Sequence, residues 1–145
     1  MKTVSALANE FKERYPTTVA WRISRNARVI ENHLNPGEKP IYVFTAQKND
    51  SPFDMFQTAV VALTNKRLLI GRDRVVVGYF LDAITPDLFN DLKVVSGLIW
   101  GKIIIDTVKE EVILSNIAKD ALDEIETAIT GYMMDEKQKY SKNQA

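Results

Sequence analysis

The five-residue run Ala59-Val60-Val61-Ala62-Leu63 constrains this chain more than any other feature. It is short, β-branched and bounded by turn formers, so it reads as a strand. Side chains alternate between the two faces of a strand. Apolar residues at every position therefore need cover on both faces, for example a barrel interior on one side and a helix on the other. The flanking segments carry a related signature. Ile41 to Gln47, Phe56 to Thr64, Arg67 to Gly71 and Val75 to Phe80 are rich in Val, Ile, Phe, Tyr and Thr. Leu92 to Val95, Lys102 to Thr107 and Glu111 to Leu114 follow, punctuated by Ser96-Gly97, Gly101 and Lys109-Glu110. Thr64-Asn65-Lys66-Arg67 reads as a tight hairpin, with Asn65 tolerating the positive φ of a primed turn. Arg72-Asp73-Arg74 reads as a second one. Several short strands at close spacing predict a sandwich or barrel rather than a parallel sheet.

Helical spacing appears at both ends. Val4, Leu7, Ala8 and Phe11 predict a helix over roughly residues 3 to 13. Tyr15-Pro16 breaks it. Pro16 then opens a second helix to about Leu34, with Val19, Ala20, Ile23, Ala27, Ile30 and Leu34 on one arc. Asn35-Pro36-Gly37 ends that helix. The last element is the clearest, with Ala121, Leu122, Ile125, Ala128, Ile129, Tyr132 and Met133 in an i, i+3, i+4, i+7 pattern. Ser115 or Asn116 is the expected cap, and Asp120, Asp123 and Glu124 suit the early turns. The tail, Gln138 to Ala145, is polar and expected to fray.

The residue order resembles the bacterial pleckstrin-homology-like (PH-like) domains. Leu34-Asn35-Pro36-Gly37-Glu38 looks like the turn that opens the family's first strand. Ala62 to Ile70, around Thr64-Asn65-Lys66-Arg67, resembles its second hairpin. Phe80 to Thr85 resembles the segment feeding the second sheet, and Gly97-Leu98-Ile99-Trp100-Gly101-Lys102 the glycine-bracketed turn before an Ile-rich strand. The resemblance covers roughly residues 34 to 133. It implies two antiparallel sheets packed nearly orthogonally, a helix plugging one open end, and a binding role rather than catalysis. Pro86 to Asp91 reads as extra loop length, and the two N-terminal helices lie outside the shared pattern. The expected fold class is α+β, mainly β: a bent antiparallel barrel of about seven strands. The expected division is 1–34 as a helical extension, 35–137 as barrel and capping helix, and 138–145 as a flexible tail.

The chemistry available is sparse. There is no cysteine among the 145 residues, so disulfides, thiolate metal sites and cysteine nucleophiles are excluded. Lys plus Arg is 19 and Asp plus Glu is 19, without the basic excess of a nucleic-acid binder. No nucleic-acid partner, cofactor, metal or catalytic residue is expected. The N-terminus does not read as a signal peptide, and no stretch approaches the roughly 18 to 20 apolar residues that span a bilayer. A cytoplasmic location is expected. His33, the single histidine, reads as a partner of a helix C-terminus. Asp82, Asp87 and Asp91 lie close in sequence and are the one acidic set to weigh for a hard cation; turn-forming loop residues are the simpler reading.

Two surfaces carry the functional expectations. On the helical wheel Trp21, Arg25, Arg28 and Asn32 fall opposite the apolar arc, with Arg22 and Val29 beside them. Trp and Arg are enriched at interface hot spots. Trp21, Arg22, Arg25 and Arg28 are therefore the candidate partner-binding residues, for another protein or a second copy in a homo-oligomer. The competing reading has the helix lying on the barrel and burying Trp21 there. The acidic early turns of the last helix (Asp120, Asp123, Glu124, Glu126) could complement the arginines. Lys48, Arg72 and Arg74 are candidate anion-binding residues. The loop Lys48-Asn49-Asp50-Ser51-Pro52-Phe53-Asp54 holds one Lys against two Asp, poorly suited to an anionic phospholipid headgroup. Phe53, Met55 and Phe56 nearby could touch a membrane or a partner. The expected function is a non-enzymatic protein-interaction or self-associating module. A peripheral membrane adaptor binding anionic phospholipid is the alternative.

Overall fold

Thr3 gives the first helix its N-terminal cap: its Oγ1 accepts the Ala6 N–H at 3.1 Å, satisfying a donor the helix itself cannot. That helix, α1, is Val4–Arg14 in the computed structural model, which describes residues 2–48, 58–74 and 77–144. Then come α2 (Ile23–Glu31), β1 (Pro40–Lys48), β2 (Thr58–Thr64), β3 (Leu68–Asp73), β4 (Tyr79–Ile84), β5 (Phe89–Ser96), β6 (Trp100–Thr107), β7 (Glu111–Ala118) and α3 (Leu122–Gln144). The strands form one antiparallel sheet in the order β4-β3-β2-β1-β7-β6-β5.

The sheet curls into a half-barrel because β1 is shared unequally. It pairs with β2 along its length, but meets β7 only at Gln47↔Ser115 and Lys48↔Leu114. Asn116 sits at this corner with φ 55, a conformation that Asn tolerates better than most residues. Its Nδ2 donates to Gln47 Oε1 at 2.6 Å. The resemblance implies two orthogonal sheets; here one continuous sheet turns that corner.

Several local expectations move. The second helix begins at Ile23, not Pro16. Thr17-Thr18-Val19 is β-branched and favours extended backbone. Val19 N–H donates to Asn116 O, and Ala118 N–H donates to Thr18 Oγ1. The segment thereby completes hydrogen bonds at the end of β7. Trp21 consequently lies before the helix. The Thr64–Arg67 hairpin is present, but among described non-glycine residues only Arg22 and Asn116 have positive φ. Thr64 Oγ1 holds the turn by accepting the Lys66 and Arg67 N–H groups. Asn65 Oδ1 accepts from Lys39 N–H at 2.7 Å. Arg72 and Asp73 are strand residues; the reversal lies between Arg74 and Gly78. Gly78, at φ 87, supplies the left-handed position this turn uses. Of the strand expected at Val75 to Phe80, Val75 and Val76 lie outside the described residues, and Tyr79 and Phe80 open β4, Tyr79–Ile84, which also holds the segment expected to feed a second sheet.

Phe89 to Asp91 belong to β5 rather than to a loop, anchored by the fully buried Phe89. Ser115 and Asn116 are strand residues, not a helix cap. Strand-like pairing persists to Lys119, whose N–H donates to Ile99 O. A 3₁₀ turn, Lys119–Ala121, then leads into α3. That helix runs to Gln144 through good helix formers, beyond the expected end at 137. Phe53, Met55, Phe56 and the loop after Lys48 lie outside the described residues.

The run Ala59 to Leu63 has its two covers. Ala59, Val61 and Leu63 face the interior with Phe44, Leu68, Ile70, Ile103, Ile105 and Leu114. Leu122, Ile125, Ile129 and Met133 of α3 close that interior, as the stripe predicts. Val60 and Ala62 face outward and meet Val4, Ala8, Ala27 and Ile30 of α1 and α2. The N-terminal helices are integral to this packing, since Phe11 of α1 also enters the main core against Tyr42 and Phe44. At Gly71 a Cβ would lie 2.7 Å from Ile30 Cγ1 and 3.1 Å from Asn26 O. The glycine lets α2 settle onto β3.

Candidate interaction surfaces

Many charged side chains in this chain hold the fold. Glu38 has a fully buried side chain. It accepts from Arg67 Nε at 3.0 Å and Nη2 at 3.1 Å, Thr64 Oγ1 at 2.6 Å and Asn35 N–H at 2.9 Å. Arg67 Nη2 also donates to His33 O at 3.0 Å. Burial opposes ionisation of Glu38, but the Arg67, Asn35 and Thr64 donors outweigh it, so its carboxyl titrates below the ordinary range. This clasp joins the end of α2, the Asn35–Gly37 turn and the β2–β3 hairpin. Glu124, at the start of α3, plays a parallel part. It accepts from Tyr42 Oη at 2.5 Å, Arg14 Nη2 at 3.0 Å and Tyr15 Oη at 3.3 Å. Burial again opposes its charge, and the Tyr42 and Arg14 donors lower its pKa regardless.

The expected partner-binding residues divide. Trp21 is half-buried, with Arg22 stacked over its ring at 5.2 Å. Arg22 is held in the left-handed region and pairs with Asp73 at 2.9 Å. Asn26 fixes this corner. Its Nδ2 donates to Trp21 O and Thr58 O, and its Oδ1 accepts from Asp73 N–H. Sequence reasoning missed Asn26, although it lies among Ile23, Ala27 and Ile30 on the buried side of the helix, where an amide needs partners. Arg25 and Arg28 are exposed. With Asn32, His33, Asp73 and Tyr79 they line a hollow of about 350 Å³. His33 Nδ1 sits 2.6 Å from Val29 O near the end of α2, and Nε2 lies 2.9 Å from Tyr79 Oη.

The candidate anion-binding residues each have a partner within the chain. Lys48 pairs with Asp82. Arg72 and Arg74 flank the Phe80 ring at 4.3 and 5.4 Å. Asp82 lies in β4, Asp87 in the connection that follows and Asp91 in β5. Among the described residues no group of His, Asp or Glu has the geometry to hold a metal ion.

Two features emerge that spacing along the chain does not announce. The first is an acidic row. Asp91 is paired across strands with Asp106, and Asp106 with Glu111. All three are exposed, around a hollow of about 250 Å³ that Lys93 and Ile104 also line. Like charges directly opposite one another destabilise a sheet. The second is an apolar tip on the β5–β6 hairpin, where Leu98, Ile99 and Trp100 are 96%, 55% and 44% exposed.

The family follows from this architecture and from comparison with known proteins. A family model for the bacterial PH domain matches residues 34–130. The chain belongs to the bacterial PH domain family. No curated protein matches it. PH domains are generally non-catalytic binding modules that engage proteins or lipids. The match in this bacterial PH domain begins at Leu34 and ends within α3, so α1 and α2 are additions to the family's shared region. Those additions carry Arg25 and Arg28. Among the described residues no helix is long and apolar enough to cross a membrane.

Proposed function

We propose that this bacterial PH domain is a non-catalytic protein-interaction module that docks onto a second copy of itself. The arginine face of α2 meets the acidic row of β5, β6 and β7 in the partner copy. One observation carries this reading. A chain with 19 basic and 19 acidic residues presents exposed arginines on one element and a row of exposed carboxylates on another. Opposed charges on separate faces let a second copy dock by charge complementarity, either head to tail or reciprocally about a two-fold axis. Trp21 and Arg22 support the face from beneath, and Arg25 and Arg28 make the contact. The lack of cysteine fits a reducing compartment, consistent with work in the cytoplasm.

Light scattering across a concentration series at low and high salt tests the proposal. Wild type is expected to exceed monomer mass at low salt and to lose mass as salt rises. Arg25→Glu with Arg28→Glu, and separately Asp106→Arg with Glu111→Arg, should each give a monomer. Mixing the two variants should restore assembly, because each then offers the other a complementary face. A wild type that stays monomeric, or variants that assemble unchanged, refutes the proposal.

A further inference from the structure

Among the described residues β4 and β5 end the sheet, each with one side open. Each strand turns a row of backbone groups to that side. Arg74 N–H donates to Gly78 O, and bonded pairs in an antiparallel ladder recur at every second residue. Phe80 and Asp82 therefore bond to Arg72 and Ile70, and the N–H and C=O groups of Tyr79, Leu81 and Ala83 point to the open side. Gly97 N–H donates to Trp100 O, so the same alternation turns Leu92, Val94 and Ser96 outward on β5. No hydrogen bond joins these outward backbone groups to another described residue.

Proteins usually blunt such edges with proline, lysine or a bulge. The β4 edge, Tyr79-Phe80-Leu81-Asp82-Ala83-Ile84, carries neither proline nor lysine, and its register along β3 is unbroken. Its one charge, Asp82, is paired with Lys48. Tyr79 and Phe80 are 51% and 43% exposed, so the edge is apolar as well as open. On β5 the irregularity lies between Phe89 and Asp91, and Leu92 to Ser96 pair regularly with β6.

The two edges are matched in charge on one face. α2 packs on the outer side of the sheet, where Leu81 joins Ala27, Ile30 and Leu69. Arg25 and Arg28 line a hollow with Tyr79 at this end. In the other half Leu92, Val94, Ile103, Ile105 and Val112 face the main core. Side chains alternate along a strand, so Asp91, Asp106 and Glu111 lie on the outer side too. A sheet continued from β4 into β5 of another copy keeps both cores on one side. Asp91 and Asp106 then stand about 5 and 10 Å beyond β4, on the same face as Arg25 and Arg28.

We infer that β4 of one copy pairs edge to edge with β5 of the next, so that one β-sheet runs through the assembly. This rests on the copy-to-copy contact proposed above and supplies its backbone component. β4 and β5 are different strands, so each junction leaves one edge of each kind at the ends. Growth continues into a chain or closes into a ring.

Amide hydrogen exchange below and above the assembling concentration tests the pairing. The N–H groups of Tyr79, Leu81, Ala83, Leu92, Val94 and Ser96 are expected to slow on assembly. Those of Phe80 and Asp82, already bonded to β3, should change little. Proline at an outward N–H blocks an added strand without breaking the ladder behind it. Ala83→Pro and Ser96→Pro should each weaken association by about tenfold or more. Mixed together, they should form a dimer and nothing larger, because one keeps the β5 edge and the other the β4 edge. Thermal unfolding shows whether each variant folds, and the wild-type exchange pattern decides the matter if one does not. Wild type that assembles with the six amides unprotected overturns the edge pairing and leaves the charge contact standing. Proline variants that fold and assemble like wild type do the same. Protection on β4 without protection on β5 would pair β4 with its own copy and overturn the inference as well. Wild type that stays monomeric overturns both the pairing and the contact on which it rests.

Discussion

Replacing Glu38 with Ala should be among the most damaging single changes to a charged residue in this domain. The carboxylate is fully buried and accepts from Arg67, Thr64 and Asn35. Without it, Arg67 is left with one protein acceptor shown, His33 O, and a side chain only 18% exposed. Breaking a buried ion pair from one side costs about 3–5 kcal/mol, because the remaining charge is stranded away from water. Partial solvation of Arg67 places the expectation near the lower end, at about 3 kcal/mol. In a chain of this size that lowers Tm by roughly 6–12 °C. Urea unfolding followed by far-ultraviolet circular dichroism measures it directly. Replacing both partners, Glu38→Leu with Arg67→Met, should cost less than Glu38→Ala alone, since no charge is then left behind. The pH dependence has a definite sign. The Glu38 carboxyl is lowered in the folded state, so its contribution is complete above its ordinary value of 4.5 and fades as pH falls through the folded value. The stability gap between wild type and Glu38→Gln should narrow over that acid range. A Glu38→Ala protein within about 0.5 kcal/mol of wild type at neutral pH would show the reasoning to be wrong.

Two further outcomes are expected of the fold. Gly101→Ala should destabilise by about 1–3 kcal/mol, because the new Cβ would stand 2.6 Å from Val95 O and 2.4 Å from Leu122 Cδ1. Gly131→Ala, in α3 with nothing within 4 Å, should stabilise by about 0.5–1 kcal/mol; urea titrations of the pair check both signs. Tyr42→Phe removes a donor from Glu124, and a hydrogen bond to a charged group of this kind contributes about 1.5–3 kcal/mol. Its loss should appear as a lower urea midpoint, with Glu124 titrating closer to an ordinary carboxyl by NMR.

The strands of this domain could be read because each carries its own evidence. Ala59 to Leu63 demands two covers whatever surrounds it, and the stripe from Ala121 to Met133 demands a core to face. Where a local signal competed with a distant partner, the distant partner won. Pro16 to Arg22 carries a helical spacing, yet Thr18 and Val19 bond to the end of β7. Ser115 and Asn116 look like caps, yet both are drawn into the corner with Gln47. The surfaces were less legible. Arg25 and Arg28 stood out on the wheel and are exposed, whereas Arg22 is occupied by Asp73.

By itself, the sequence determined the mainly β class, the closing helix and the absence of cysteine chemistry, since composition and periodicity are properties of neighbouring residues. Only the tertiary structure decided which charges remain outward and which apolar residues stay wet. Asp91, Asp106 and Glu111 form a row solely because strand register sets them opposite one another. Leu98 to Trp100 are exposed at a hairpin tip that Thr17 and Lys119 hold by hydrogen bonds. Hairpin turns and the buried face set the register of these strands, whereas the curvature comes from the β1–β7 corner, between residues far apart in the chain.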